Sequence, residues 1–344
     1  MSVKFIDIEK TSWHAVLPTL RYVLGTCLII MVTTLLNYPL SYLASVLALS
    51  FMSPGTRPLK FKDAVIFLLF LSVFTGFAYV FSAYFIDYPL VFMPLLLFII
   101  FCVYYTQKLP LIIKLFAIIS LLMIPLLALN GVALGGFVAI SLVFNTLLAI
   151  GLTQLMFRFI PYSEYDAQFE KQKGGAGAMT PTEQFKYAAR IVLVLLPIIL
   201  LFFIFNLSGG ALVLVFSAIL SISPALSNPK TGLVMIVANI IGGLFAIIGY
   251  KLLTVVPMFS FMLLLVLLVG LLFSQRLFSK TKTAAVFGTA FSTFLLILLS
   301  VTSSDAEAGS KLWDRLIQIS AAVIYVVLAF RFLNSWISYI SKQS

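Results

Sequence analysis

Apolar runs of about twenty residues follow one another along this chain with almost no polar sequence between them. A helix needs ~20 largely apolar residues to cross ~30 Å of hydrocarbon, and no water-surrounded core could bury so many runs in succession. The runs lie at Leu17–Leu36, Leu40–Met52, Ala64–Ile86, Leu90–Thr106, Leu111–Leu129 and Val132–Phe157, and, after a polar connector, at Tyr187–Phe205, Ala211–Ser223, Gly232–Tyr250, Met258–Phe273, Thr283–Ser300 and Leu312–Phe332. About twelve transmembrane helices are predicted. Strands are disfavoured because the runs lack the alternation of a membrane barrel. With 62% hydrophobic and 10% charged residues, the chain is neither a soluble globule nor disordered. Its two cysteines cannot form a disulfide framework, and no Cys/His spacing suggests a metal site. Neither metal nor cofactor is expected.

Charge placement sets the orientation. With both termini cytoplasmic, nineteen of the 22 Lys and Arg residues fall on the inner side, and only Lys251, Lys311 and Arg315 on the outer. That is the positive-inside bias, so the net charge of +11 reports topology and not a nucleic-acid partner. The polar residues before the first run, and the lack of a small-residue cleavage site after it, mark that run as a retained span.

The two halves share landmarks at a near-constant offset. Arg21 and Arg190, and Asn37 and Asn206, are each 169 residues apart; Ser53-Pro54 and Ser223-Pro224 are 170 apart, Gln107 and Gln275 168, and Phe157-Arg158-Phe159 recurs 173 residues on as Phe330-Arg331-Phe332. The expected fold is all-α, two six-helix repeats (1–160 and 187–344) joined by a cytoplasmic linker (161–186). An even number of spans per copy makes the repeats parallel, with a pathway between them. The linker carries Gly174-Gly175-Ala176-Gly177-Ala178, a tether composition. It ends in Thr180-Pro181-Thr182-Glu183, which reads as a capping box with proline in the first helical position.

Two spans are short. Leu40–Met52 lies between Pro39 and Pro54, and Ala211–Ser223 between Gly209-Gly210 and Pro224. Interrupted segments at matching places in two repeats point to a transporter's site. Ser53, Pro54, Arg57 and Lys60, with Ser223, Pro224, Asn228 and Lys230, are therefore candidates for a cytoplasm-facing vestibule that draws in a small organic anion. Two tight turns, with basic residues placed by the inside rule alone, explain them as well. Asn145 and Asn239, at mid-bilayer, either contact solute or bond across helices. Gly242-Gly243 and Gly135-Gly136 read as close helix contacts. No acid falls at the centre of a span; Asp63, Asp87 and Asp314, at span ends, are the candidates for proton coupling.

Phe51-Met52-Ser53-Pro54-Gly55-Thr56-Arg57-Pro58, and Ser223-Pro224 running through Lys230 to Asn239-Ile240-Ile241-Gly242-Gly243-Leu244, resemble the second-to-third helix region of the fusaric acid resistance and aromatic acid exporter family. The resemblance implies proton-driven efflux of small amphipathic aromatic carboxylic acids across a bacterial inner membrane, with a periplasmic adaptor (membrane-fusion) protein as partner. A homo-oligomer is a further option. The chain departs from larger relatives in lacking a soluble cytoplasmic domain at the connector, and in the mostly neutral stretch after its second proline turn. The other class is a non-transporting subunit anchoring an envelope or efflux complex. A membrane enzyme is disfavoured, because no cluster of His, Asp or Glu stands near either interface for acid–base work.

Overall fold

A computed structural model describes the chain apart from residues 1–4, 39, 107–108, 174–179, 222–228, 280, 282, 303–316, 319, 323, 334 and 336–344. Its helices are α1 (Phe5–Leu36), α2 (Tyr42–Phe51), α3 (Phe61–Phe85), α4 (Pro89–Tyr105), α5 (Leu111–Ala128), α6 (Val132–Phe159), α7 (Glu164–Lys173), α8 (Pro181–Ile204), α9 (Ala211–Ser221), α10 (Pro229–Val255), α11 (Phe259–Leu277) and α12 (Ala284–Thr302), followed by α13 (Ser320–Leu333). Among the described residues there is no strand. Seven helices, those numbered 1, 3, 6, 8, 10, 11 and 12, are long and apolar enough to cross a bilayer. The fold is that of an all-helical membrane protein. Its surface agrees: Leu69, Val73, Phe77, Val80 and Tyr84 stand exposed down one face of α3, a continuous apolar stripe that water would not tolerate and lipid would.

The short helices are short for local reasons. Asn37 takes a left-handed φ of +42° just after α1, and Leu40 follows at +60°, so the chain reverses before α2 begins. At the far end Ser53-Pro54-Gly55-Thr56 closes as a tight turn, with Thr56 N–H donating to Ser53 O at 3.0 Å and Gly55 at φ +72°. Proline then glycine at the centre is the pattern of a type II turn. Ten residues remain for α2, about 15 Å of helix. The eleven of α9 follow Ser208-Gly209-Gly210.

Two compact units emerge. One comprises residues 1–64, 144–177 and 238–316, the other 65–143, 178–237 and 317–344. Each draws on both chain halves, so neither coincides with residues 1–160 or 187–344. In the first, α1 packs on α2 and α11, and α12 packs on α2 and α11. Tyr22 sits edge-on to Phe278 at 5.7 Å, and Gly270 leaves room for Val23 and Phe291. A Cβ at Gly242 would strike the Ala290 carbonyl, so the glycine lets α10 approach the backbone of α12. In the second unit α4 packs on α5 and α8, and α9 on α5 and α8. The core there runs through Phe81, Phe92 and Phe203, with ring centroids 5.0 and 5.4 Å apart.

The connector carries more order than its composition announces. Residues 164–173 form α7, whose Tyr165 hydroxyl donates to Phe278 O at 2.8 Å while Phe169 meets the Phe278 ring. Burial raises the Tyr165 pKa above its ordinary value. The glycine-rich residues 174–178 lie outside the described residues. The capping box forms: Thr180 Oγ accepts from Glu183 N, and the Glu183 carboxylate accepts from Thr180 N at 2.9 Å.

Candidate functional site

Asn145, fully buried on α6, organises the best-formed polar feature of the first unit. Its Oδ1 accepts from Ala44 N–H at 3.0 Å and from the Tyr38 hydroxyl at 2.8 Å. A helix start leaves its first N–H groups without intrahelical partners, and Ser41, in the N-cap position of α2, makes no side-chain capping bond. Ala44 N–H reaches the Ser41 carbonyl at 3.3 Å and Asn145 Oδ1 at the shorter 3.0 Å, so Asn145 caps α2 from another helix. Such a cap matters most where water is excluded and an orphan N–H costs several kcal/mol.

Beside this bond lies a cavity of about 580 Å³. Its wall comes from the C-terminal ends of α1 and α12 and the N-terminal ends of α2 and α11, that is, from both halves of the chain. The polar lining is Thr33, Thr34, Asn37, Tyr38, Ser41, Tyr42, Ser300 and Thr302; the apolar lining is Ile30, Leu40, Phe259, Met262 and Leu299. No charged side chain lines it among the described residues. The volume suits a small organic molecule.

The proline turn lies at the other end of α2. Ser53 Oγ donates to Ser50 O at 3.2 Å and shares a hydrogen with Thr56 Oγ1 at 2.7 Å, and Pro54 is half-buried. Arg57, whose side chain is exposed, borders a crevice with Phe51, Leu59, Ile150, Thr153, Gln154 and Phe157 that holds only about 10 Å³. That is too small for a solute and marginal for one water. Lys60 and Asp63 are exposed at the start of α3, and Asp87 is exposed between α3 and α4. Asp63 lies in the first turn of its helix, where the dipole favours a carboxylate. Asn239, nearly buried, accepts from the Thr293 hydroxyl at 2.6 Å, a bond between α10 and α12. Ser223, Pro224, Asn228 and Asp314 lie outside the described residues, and Lys230 belongs to the first turn of α10. Of the polar residues that the sequence places at mid-bilayer, Thr33 and Thr34 line the cavity and Asn145 meets its wall through Tyr38.

Sequence reasoning missed a second buried feature. Arg21, 1% exposed, pairs with Asp166 at 2.7 Å, itself 1% exposed. Its guanidinium also donates to Pro161 O at 3.2 Å and lies 4.3 Å from the centroid of the Phe157 ring. The available signal was the arginine itself, five residues into an apolar run, which must find a counter-charge. The pair fastens α7 to α1. No protein-family model, no curated protein and no solved structure matches this chain.

Proposed function

We propose that this chain is a multi-pass transporter of the bacterial inner membrane, built from two parallel six-helix repeats with both termini cytoplasmic, and that it exports small amphipathic organic solutes through the cavity at Asn145. The single observation that carries this reading is the cavity itself, solute-sized and walled by helices from both chain halves. Aromatic acids, the class implied by the family resemblance, are the first solutes to test. In this orientation α1 rises outward and α2 descends, so the cavity opens toward the periplasmic side.

Helix pairing supports the duplication. The first two spans of one half (α1, α2) pack with the fourth and fifth of the other (α11, α12), and the first two of the second half (α8, α9) pack with α4 and α5. The same offset explains why one site would be open and its twin shut. Thr33 and Thr34 correspond at 169 to Phe202 and Phe203, and Met262 and Ser300 correspond at 170 to Phe92 and Asn130. In the second unit Phe203 contacts Phe92 and Asn206 donates to Asn130 at 3.1 Å, which fills and ties the equivalent position.

Copying that packing gives the test. Thr34→Phe with Met262→Phe should abolish solute movement in inside-out membrane vesicles while leaving expression and thermal unfolding near wild type. Transport persisting in the double variant would remove the cavity from the route.

A further inference from the structure

Arg190 follows Arg21 at the offset on which the two halves match, but its surroundings differ. Arg21 is sealed against Asp166. Arg190 is half-buried on α8, just inside the apolar run, and among the described residues its side chain makes neither an ion pair nor a hydrogen bond. No acid of its own unit is placed to answer it. The only Asp and Glu there are Asp87, between α3 and α4, and Glu183, which accepts the Thr180 N–H about 10 Å back along the helix. A guanidinium at the edge of the apolar layer needs a counter-charge, and the headgroups are within its reach.

Two hydrogen bonds set α13 antiparallel to α8. Gln318 Nε2 donates to Gly209 O, beyond the end of α8, at 3.2 Å, and the Tyr325 hydroxyl donates to Val194 O at 2.7 Å. Measured from the second bond at ~1.5 Å per residue, Arg190, Arg331 and Lys186 lie about 6, 9 and 12 Å nearer the start of α8. Val194 and Phe330 share one buried cluster, which keeps Arg331 beside α8. Each helix carries an exposed apolar stripe that ends in an exposed cation: Leu193, Pro197 and Leu201 above Lys186, and Ile324 and Leu328 above Arg331. The positive-inside rule accounts for basic residues at helix ends; it gives no reason for a half-buried arginine inside an apolar run.

We propose that α8 and α13 bind one anionic phospholipid of the leaflet at the start of α8, cytoplasmic in the orientation above. Arg190, Lys186 and Arg331 hold its phosphate, and its acyl chains lie along the two stripes. The planar fork of arginine matches phosphate oxygens. Three cations with Glu183 as the one acid nearby leave the site net positive, which favours a headgroup of net negative charge over a zwitterionic one. Such a site is independent of any solute carried.

The test uses the full chain in maltoside micelles, titrated with phosphatidylglycerol or with phosphatidylcholine of the same acyl chains. Native mass spectrometry reads the retained lipid, and thermal unfolding reads stability. One phosphatidylglycerol should bind saturably, about tenfold tighter than phosphatidylcholine, and raise the unfolding midpoint. Lys186→Gln with Arg190→Gln should lower its affinity about tenfold, the effect of two cations at moderate salt. Arg190→Lys should fall between, since the charge stays and the fork goes. Arg158→Gln with Arg276→Gln, exposed cations in the last turns of α6 and α11, should change neither affinity. No saturable phosphatidylglycerol, equal binding of the two lipids, or an equal loss in that control overturns the site. Arg190 has no partner in the chain to lose, so the double variant should fold; its failure to fold would place a partner within the protein and overturns the site as well.

Discussion

Asn37 and Asn206, 169 residues apart in sequence, adopt one backbone conformation, with φ of +42° and +47°. Each stands just after a long helix, α1 and α8, and just before a short one, α2 and α9. Non-glycine residues visit this region rarely, asparagine being among the tolerated ones. The matched pair falls at the repeat offset expected from sequence, and it is a likeness of backbone that shared apolar runs, which align by chance, do not supply.

The same conformation sets a cost on substitution. Asn37→Val should destabilise the purified protein by about 1–2 kcal/mol, the left-handed penalty for a residue with Cβ branching, whereas Asn37→Gly should be near neutral. At position 206 glycine should cost up to about 1 kcal/mol more than at 37, because the bond to Asn130 is lost. Thermal unfolding in detergent reads all three; valine tolerated as well as glycine at 37 would discard the turn geometry.

The Arg21–Asp166 pair is buried on both sides, so removing one member strands the other. Arg21→Met or Asp166→Leu alone should cost about 3–5 kcal/mol, while the double variant should recover much of the loss. A double-mutant cycle on unfolding midpoints, together with protease access to the connector, measures this. Additive losses would mean that the two charges do not rely on one another.

What was legible in the sequence was whatever apolar length and chain breakers encode. The apolar runs recur as helices among the described residues, most with ends shifted by a few positions; α1 and α8 begin earlier, at Phe5 and Pro181, α9 stops where its residues leave the description at 222, and the last run is described as a helix only from Ser320. Pro54 and Gly209-Gly210 bounded α2 and α9 because proline and glycine act locally, while Pro39 lies outside the described residues. The close contact at Gly242 and the capping box at Thr180 were legible for the same reason. The cavity was not, because its lining is ordinary serine, threonine and tyrosine, recognisable only once four helix ends meet. Basic residues at the Arg57 turn drew attention by charge, yet charge there follows the topology rule as much as any site. The order of α7 was hidden because its anchors, Tyr165, Asp166 and Phe169, look like linker residues until Arg21 and Phe278 are beside them.

Gly242 sets how closely α10 approaches α12. An added methyl would meet the Ala290 carbonyl and lie 3.0 Å from Thr293 Cβ, and that carbonyl is backbone with no rotamer to yield. Gly242→Ala should lower stability by about 1–3 kcal/mol through overpacking and stretch the neighbouring Asn239–Thr293 bond. Gly76→Ala, where nothing lies within 4 Å of the added atom, should be neutral or better and serves as the control. Similar unfolding midpoints for the two variants would place the helices further apart.

Whether α2 crosses the membrane decides how many spans each proposed repeat contains. At about 15 Å it spans half of the ~30 Å apolar layer, and only helix ends met by protein or water can lie at that depth; the Asn145 cap on Ala44 meets that condition at one end. In a chain with Cys27 and Cys102 replaced by alanine, Ser41→Cys and Asp87→Cys should react with a charged maleimide added outside intact cells. Lys60→Cys should react only after the membrane is opened. A bound solute should slow the reaction at 41, on the cavity wall, without changing it at 87 or 60. If 41 and 60 label from one side, α2 turns back within the layer, the count of spans per repeat becomes odd, and the parallel arrangement of the halves gives way to an inverted one.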